Sequence, residues 1–173
     1  MSDILLHEVK GKSEIITFNN PNKLNVLSDK MLELLLNALE KSSSNTKTKV
    51  VIIKSTGKAF CAGHDLKEMQ NARINSDEGI GYFKDLFKRC SKVMLKIKNL
   101  PKPVIAEVQG IATAAGCQLV ATCDIAIASK NASFGVNGVN IGLFCSTPMV
   151  ALSRNISRKK TFEMLVTGDF LTA

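Results

Sequence analysis

Apolar and polar positions along this chain switch between a period of two and a period of three to four, and that switching lays out its elements. Residues 4–9 and 14–19 are β-prone and flank Lys10-Gly11-Lys12, which predicts a hairpin. Asn20-Pro21-Asn22 then breaks the chain into a loop. Ser28-Asp29 offers a helix cap. Met31, Leu32, Leu34, Leu35, Leu36 and Leu39 follow at helical spacing until the polar run 41–49. Val50-Val51-Ile52-Ile53 is a compact apolar run, the kind buried on both faces of a sheet. Residues 55–65 read as a loop of small side chains. An amphipathic helix is predicted over 77–98, with Tyr82, Phe83, Leu86, Phe87, Cys90, Val93, Met94 and Ile97 on its apolar side. Pro101 and Pro103 end it and lead into a strand over 104–108. Residues 110–116 form a turn opening a helix over 117–122. Residues 125–128 and 133–134 read as strands, and 148–153 and 159–166 as helices.

Strands alternating with helices predict an α/β class with much parallel pairing. A strand-strand-helix unit recurs, too diverged for a fixed period. No linker or low-complexity stretch divides the 173 residues, so a single domain over 1–173 is expected.

Composition narrows the chemistry. A hydrophobic share of 45% with 22% charged residues is ordinary soluble-domain usage. No apolar run approaches the roughly 20 residues of a membrane-spanning helix. The N-terminus shows neither a secretory nor an Arg-rich leader pattern, which makes the cytoplasm the default compartment. Cys61, Cys90, Cys117, Cys123 and Cys145 contain no Cys-x-x-Cys pair and read as small buried hydrophobes. His7 and His64 are the only histidines and stand far apart, so no metal site is expected. The net charge of +8 suits a phosphate-bearing partner. It comes from dispersed lysines, and with Tyr82 the single tyrosine and no tryptophan there is no aromatic-basic stripe for stacking bases. Specific nucleic-acid binding is therefore not indicated.

Two loops carry the candidate chemistry. Gly57-Lys58-Ala59-Phe60-Cys61-Ala62-Gly63-His64-Asp65-Leu66 follows one buried strand. Val108-Gln109-Gly110-Ile111-Ala112-Thr113-Ala114-Ala115-Gly116-Cys117-Gln118-Leu119 follows another and enters a helix. Small side chains let another molecule approach the main chain, and a helix N-terminus presents unpaired N–H groups. Together they suit an anion such as the enolate or tetrahedral oxyanion of a thioester reaction. Close strand–helix packing alone also selects small residues. Neither a Gly-x-x-x-x-Gly-Lys-Ser/Thr loop nor a Gly-x-Gly-x-x-Gly fingerprint is present, so a nucleotidase or an NAD enzyme is not indicated.

The run Ala59-Phe60-Cys61-Ala62-Gly63-His64-Asp65-Leu66-Lys67-Glu68-Met69 resembles the first signature of the enoyl-CoA hydratase/isomerase (crotonase) family. Pro101-Lys102-Pro103-Val104-Ile105-Ala106-Glu107-Val108-Gln109-Gly110, Ala114-Ala115-Gly116-Cys117-Gln118-Leu119 and Cys123-Asp124-Ile125-Ala126-Ile127-Ala128 resemble the second. Asn20-Pro21 with Asn25-Val26-Leu27, and Leu165-Val166-Thr167-Gly168, are similar in the same order, and residues 138–148 are most similar to one branch of the family. The resemblance implies a crotonase-type (ββα) spiral core that handles a fatty acyl-CoA or related thioester. Coenzyme A enters as part of the substrate, and no cofactor is permanently bound. By position, the oxyanion donors fall on the backbone N–H groups of His64 and Ala115. Ala62, His64, Asp65, Leu66 and Lys67 line the coenzyme A channel, and Lys23 and Leu24 meet its pantetheine or nucleotide portion. Asp65 also suits an N-cap for the helix that follows. The resemblance further implies a homotrimer or hexamer, and the mitochondrial matrix in a eukaryote.

The chain departs from the family pattern where it matters for turnover. The two glutamates of the hydratases fall at Gln118 and Gly138. An amide takes up no proton at neutral pH and glycine has no side chain. Each positioned acid or base is worth about 10²- to 10⁴-fold in rate, so classical hydration is expected to be crippled. Three readings stand: a thioester-handling member of the family, a malonyl-type acyl-CoA decarboxylase that needs no base, or a non-catalytic acyl-CoA binding protein. Cys145 and Ser146 lack a placed base that would make a nucleophile. Glu107 and Asp124 suit strand-end or turn roles. The family's C-terminal helical region, which covers the site and supports assembly, is expected to be missing from residues 1–173. Phe162, Met164, Leu165 and Phe170 are accordingly expected to be exposed.

Overall fold

The computed structural model describes residues 3–173 as repeated strand-strand-helix units. β1 (Leu5–Lys10), β2 (Ser13–Phe18) and α1 (Asp29–Ser44) form the first. β3 (Val50–Ser55), β4 (Ala59–Cys61), α2 (Leu66–Ala72) and α3 (Ile80–Lys98) form the second. β5 (Val104–Val108), β6 (Ile111–Thr113) and α4 (Ala115–Thr122) form the third, and β7 (Ile125–Ala128), β8 (Ser133–Gly135) and α5 (Ser146–Asn155) the fourth. α6 (Arg158–Thr167) and β9 (Leu171–Thr172) follow. From the second unit on, the first strand joins a five-stranded sheet, β1-β2-β3-β5-β7, and the second joins a four-stranded sheet, β4-β6-β8-β9. β1 and β2 are antiparallel, β2, β3, β5 and β7 run parallel, and so do β4, β6 and β8. This is the α/β spiral that the pattern and the resemblance predict.

The main core lies between the larger sheet and the helices. Leu32, Leu35 and Leu39 of α1 and Leu86, Val93 and Ile97 of α3 pack over Ile16, Val51, Ile53, Val104 and Ala106. Each such large side chain stabilises the fold by about 1.5–3 kcal/mol when fully buried. α1 begins where the pattern places it, with the Ser28 side chain accepting the Met31 N–H.

Several elements differ from the sequence expectation. The loop over 55–65 contains β4, and the turn over 110–116 contains β6, with α4 starting at Ala115. Strands of three residues are too short to show a period; their partners across the sheet define them. The long helix starts at Ile80 because the Asp77 carboxylate instead accepts the N–H groups of Gly79 (3.0 Å) and Gly81 (2.8 Å) in a turn. β7 is apolar yet open to solvent, with Ile125 and Ile127 exposed, because it is the edge of its sheet. Met164 and Leu165 are buried, contrary to expectation. α6 packs on α5 and the turn Asn137–Ile141, and places both in a second cluster with Cys117, Val136, Cys145 and Leu152. Phe162 and Phe170 are exposed as expected. All five cysteines are free and buried.

Away from the signature loops, a carboxylate is buried at the foot of the hairpin. Glu14, 1% exposed, accepts hydrogen bonds from the Ser42 and Thr48 hydroxyls and lies 2.9 Å from His7 Nε2 and 3.7 Å from Lys102 Nζ. Burial pushes its carboxyl up, but the hydrogen bonds of Ser42, Thr48 and His7, with the His7 charge, outweigh that and hold it below the ordinary value. A depressed folded value means that this stability is present above the ordinary carboxylate range and is lost as pH falls through the folded value. Thermal melts are therefore expected to be flat near neutral pH and to drop below the ordinary carboxylate range. Glu14→Gln should flatten that acid limb and cost about 1–3 kcal/mol at neutral pH, since Lys102 keeps its bonds to Asn45 O and Thr48 Oγ1 but loses its counter-charge; an unchanged acid limb would contradict the assignment.

Candidate functional site

β4 ends at Cys61 and the chain turns through Gly63 at φ +87°, a left-handed conformation suited to glycine. Asp65 closes the turn: its side chain caps α2 by accepting the Lys67 N–H (2.9 Å) and lies 3.5 Å from Lys23 Nζ. The segment 24–27 runs alongside this loop. Ala62 N–H donates to Leu24 O (3.1 Å), and Leu27 N–H donates to Gly63 O (2.7 Å). Leu24 and Asn25 both take φ +53°, which costs of order 1–3 kcal/mol each unless the surroundings enforce it. Asn25 supplies the enforcement. Fully buried, its amide donates to Thr56 O and Ala59 O (2.8 Å each), and its Oδ1 accepts the Asn20 N–H (2.8 Å).

The second loop docks on the first through main chain. A side chain on Gly116 would enter the Cys61 carbonyl, so only glycine lets the start of α4 sit against β4. A Cβ on Gly63 would lie 3.3 Å from Ala115 N and 3.0 Å from Ala114 Cβ. Ala114 takes φ +51°, ψ −122°, held by its N–H donating to Gly135 O (2.9 Å). The N–H groups of His64 and Ala115 donate to no other group among the described residues. Two free donors thus stand on adjoining loops, one of them at the positive end of a helix, an arrangement that can hold an oxyanion.

The remaining sequence-predicted residues fall around this corner. Lys23 and Leu24 lie on the strapping segment, Ala62, His64 and Asp65 on the turn, and Leu66 and Lys67 in the first turn of α2, where both are exposed. Gln118 lies one helical turn beyond Ala115, 8% exposed, with Oε1 unpartnered among the described residues. Gly138 sits in the turn Asn137–Ile141, tied to the same corner by Thr113 Oγ1 donating to Asn137 Oδ1 (2.7 Å). A Cβ at 138 would collide with Leu143 O and come within 2.7 Å of Cys145 Sγ, so this loop leaves no room for a carboxylate. Cys145 is buried in the second cluster, and burial pushes its thiol up, which fits packing.

The His64 imidazole is the one unexplained polar group on the turn. Both nitrogens are buried without a partner among the described residues, and the ring stands edge-on to Phe87 with centroids 6.0 Å apart. Burial pushes it below the ordinary histidine value and the Arg89 charge adds to the fall, with the Asp29 charge opposing. That shift favours its neutral form. Asp124 accepts the Val104 N–H (2.8 Å), the turn role expected of it. Sequence reasoning missed the parts played by Asn25 and Ala114. Asn25 lies in a quoted motif, but linear sequence does not reveal that its amide is buried, and a positive φ at an alanine leaves no sequence mark.

Restoring the two glutamates should give opposite results in chemical denaturation. Gly138→Glu is expected to lose about 1–3 kcal/mol through overpacking, whereas Gln118→Glu, facing a cleft, should fold with a smaller loss. A Gly138→Glu protein as stable as the parent would show that the loop has the room denied to it above.

Residues 10–173 match the enoyl-CoA hydratase/isomerase family pattern. The chain is 46% identical over 172 residues to the mitochondrial enoyl-CoA hydratase domain-containing protein 3 of Danio rerio, covering 99% of this chain and 58% of that protein. It is 49% identical over 158 residues to the Homo sapiens protein of the same name, covering 91% of this chain and 50% of that one. That is also the branch to which residues 138–148 are most similar. A crystal structure of an enoyl-CoA hydratase from Mycobacterium smegmatis superposes with a TM-score of 0.92 at 50% identity, covering 99% of this chain and 65% of the other. The chain thus spans just over half the length of the curated relatives it matches. Among the described residues no helix is long and apolar enough to cross a membrane. With its signature loops meeting backbone to backbone and nearly all of its length superposing on such a structure, the chain belongs to the enoyl-CoA hydratase/isomerase family and has the crotonase fold.

Proposed function

We propose that this chain binds acyl-coenzyme A thioesters and holds the thioester oxygen, as carbonyl or enolate, on the N–H groups of His64 and Ala115, without the acid–base pair that hydration needs. The observation that carries this reading is the approach of the Gly63 turn to Ala115, which brings two unpaired main-chain donors together. Preorganised donors of this kind are worth about 10²–10³ in rate apiece when a transition state carries the charge. Lys23 and Lys67 at the rim, within a chain of net charge +8, suit the phosphates of coenzyme A. The partly exposed Leu24 and Leu66 suit its pantetheine arm.

At the two positions where the family's hydratases carry glutamates nothing can take a proton from water, and the imidazole on the turn, His64, is buried. Gln118 is a neutral amide, position 138 is crowded main chain, and Asp65 is occupied by its cap and by Lys23. The same lack favours a malonyl-type thioester as an alternative substrate. Its C–C bond breaks, carbon dioxide leaves, and the electron pair passes into an enolate on the two donors that takes its proton from solvent. The departing carboxylate meets no like charge at 118 or 138. The mitochondrial names of the relatives make the matrix the compartment proposed.

Calorimetric titration with butyryl-CoA is expected to show binding tighter than that of free coenzyme A. Crotonyl-CoA should bind comparably and hydrate at least about 10⁴-fold more slowly than with an enzyme that has both glutamates. Failure of every thioester to bind better than free coenzyme A would overturn the reading. Release of carbon dioxide from methylmalonyl-CoA would select the decarboxylase, and its absence alongside tight binding would select the non-catalytic binder.

A further inference from the structure

A cleft of about 540 Å³ opens between α3, α4 and α5, within the roughly 300–1,000 Å³ typical of small-molecule sites. Gln118 lines it, its amide oxygen an acceptor without a partner among the described residues. Gln118 is three residues beyond Ala115, so it stands about 4.5 Å further along the helix axis. On the thioester reading, an acyl group held at Ala115 enters this cleft by passing the Gln118 side chain. Met94, Leu95 and Val150 provide apolar wall beyond it. Lys98 and Arg154 also line the cleft, both exposed and neither in an ion pair among the described residues. The one carboxylate in the lining, Asp124, has an oxygen bound to the Val104 N–H.

We infer that this cleft selects acyl groups with a carboxylate at the far end, so that the ligand class is a dicarboxylic acyl-CoA and not a plain fatty acyl-CoA. The inference rests on the thioester reading and adds a specificity to it. The apolar wall takes the methylenes, the uncharged Gln118 side chain flanks them, and the two cations meet the terminal carboxylate. An ionised glutamate at 118 would repel that anion, and the neutral amide does not. Gln118 thus becomes part of a selective surface, where loss of the glutamate alone would explain only a missing catalyst.

Titrations of the full chain with adipoyl-CoA, hexanoyl-CoA and free coenzyme A test it. Adipoyl-CoA is expected to bind at least tenfold tighter than hexanoyl-CoA at low salt. The double substitution Lys98→Gln with Arg154→Gln, both on exposed positions, should abolish that advantage and leave hexanoyl-CoA binding unchanged. Gln118→Glu should weaken adipoyl-CoA more than hexanoyl-CoA. If hexanoyl-CoA binds as well as or better than adipoyl-CoA, the specificity is overturned and the thioester reading stands. An adipoyl-CoA advantage that survives the double substitution also overturns it. If neither thioester exceeds free coenzyme A, both readings fall together.

Discussion

The contact on which the site depends is the seat of α4 against β4, main chain on main chain at Gly116 and the Cys61 carbonyl. No side chain fits between them. Any larger residue would lift the helix, and with it the Ala115 N–H, away from the Gly63 turn. The strained Ala114 is the other side of this constraint: the chain must leave β6 and enter the helix within one residue, and the Gly135 carbonyl holds it there. Strain stored next to free donors is characteristic of preorganised sites, which need their surroundings to be stiff.

The stiffness comes from polar groups placed where the core cannot supply it. Asn25 joins the strapping segment to the main chain at Thr56 and Ala59, so that residues 24–27 and 62–64 move as one piece. Glu14 does a similar job at the foot of the hairpin, joining β2 to α1, to the approach to β3 and to that of β5. Both are buried polar residues with full sets of partners. Such groups contribute modestly when satisfied and cost heavily when a partner is lost.

In the proposed function, holding a thioester and turning it over are separate properties. The holding groups proposed are backbone N–H donors, which no exchange of side chains at 118 or 138 removes. The turnover groups would have to be side chains, and the fold treats those two positions differently. Position 118 faces a cleft with two cations and keeps a polar amide there, whereas position 138 is packed against Leu143 and Cys145. One position opens on a cleft and the other is closed by main chain.

By itself the sequence determined the long elements and the loops that matter. α1, α3, β2 and β3 are legible because their periods run over enough residues, and the signature loops because small residues there match a family pattern. Tertiary structure decided the rest. β4, β6 and β9 exist only through their sheet partners, Met164 and Leu165 are buried only because α6 folds onto α5, and β7 is exposed only because it is an edge. The functions of Asn25 and Ala114 likewise depend on groups more than 20 residues away along the chain. The physical reason is common to all of them. Local pattern reports what a segment prefers, whereas burial, register and backbone strain are properties of the pair of segments that meet.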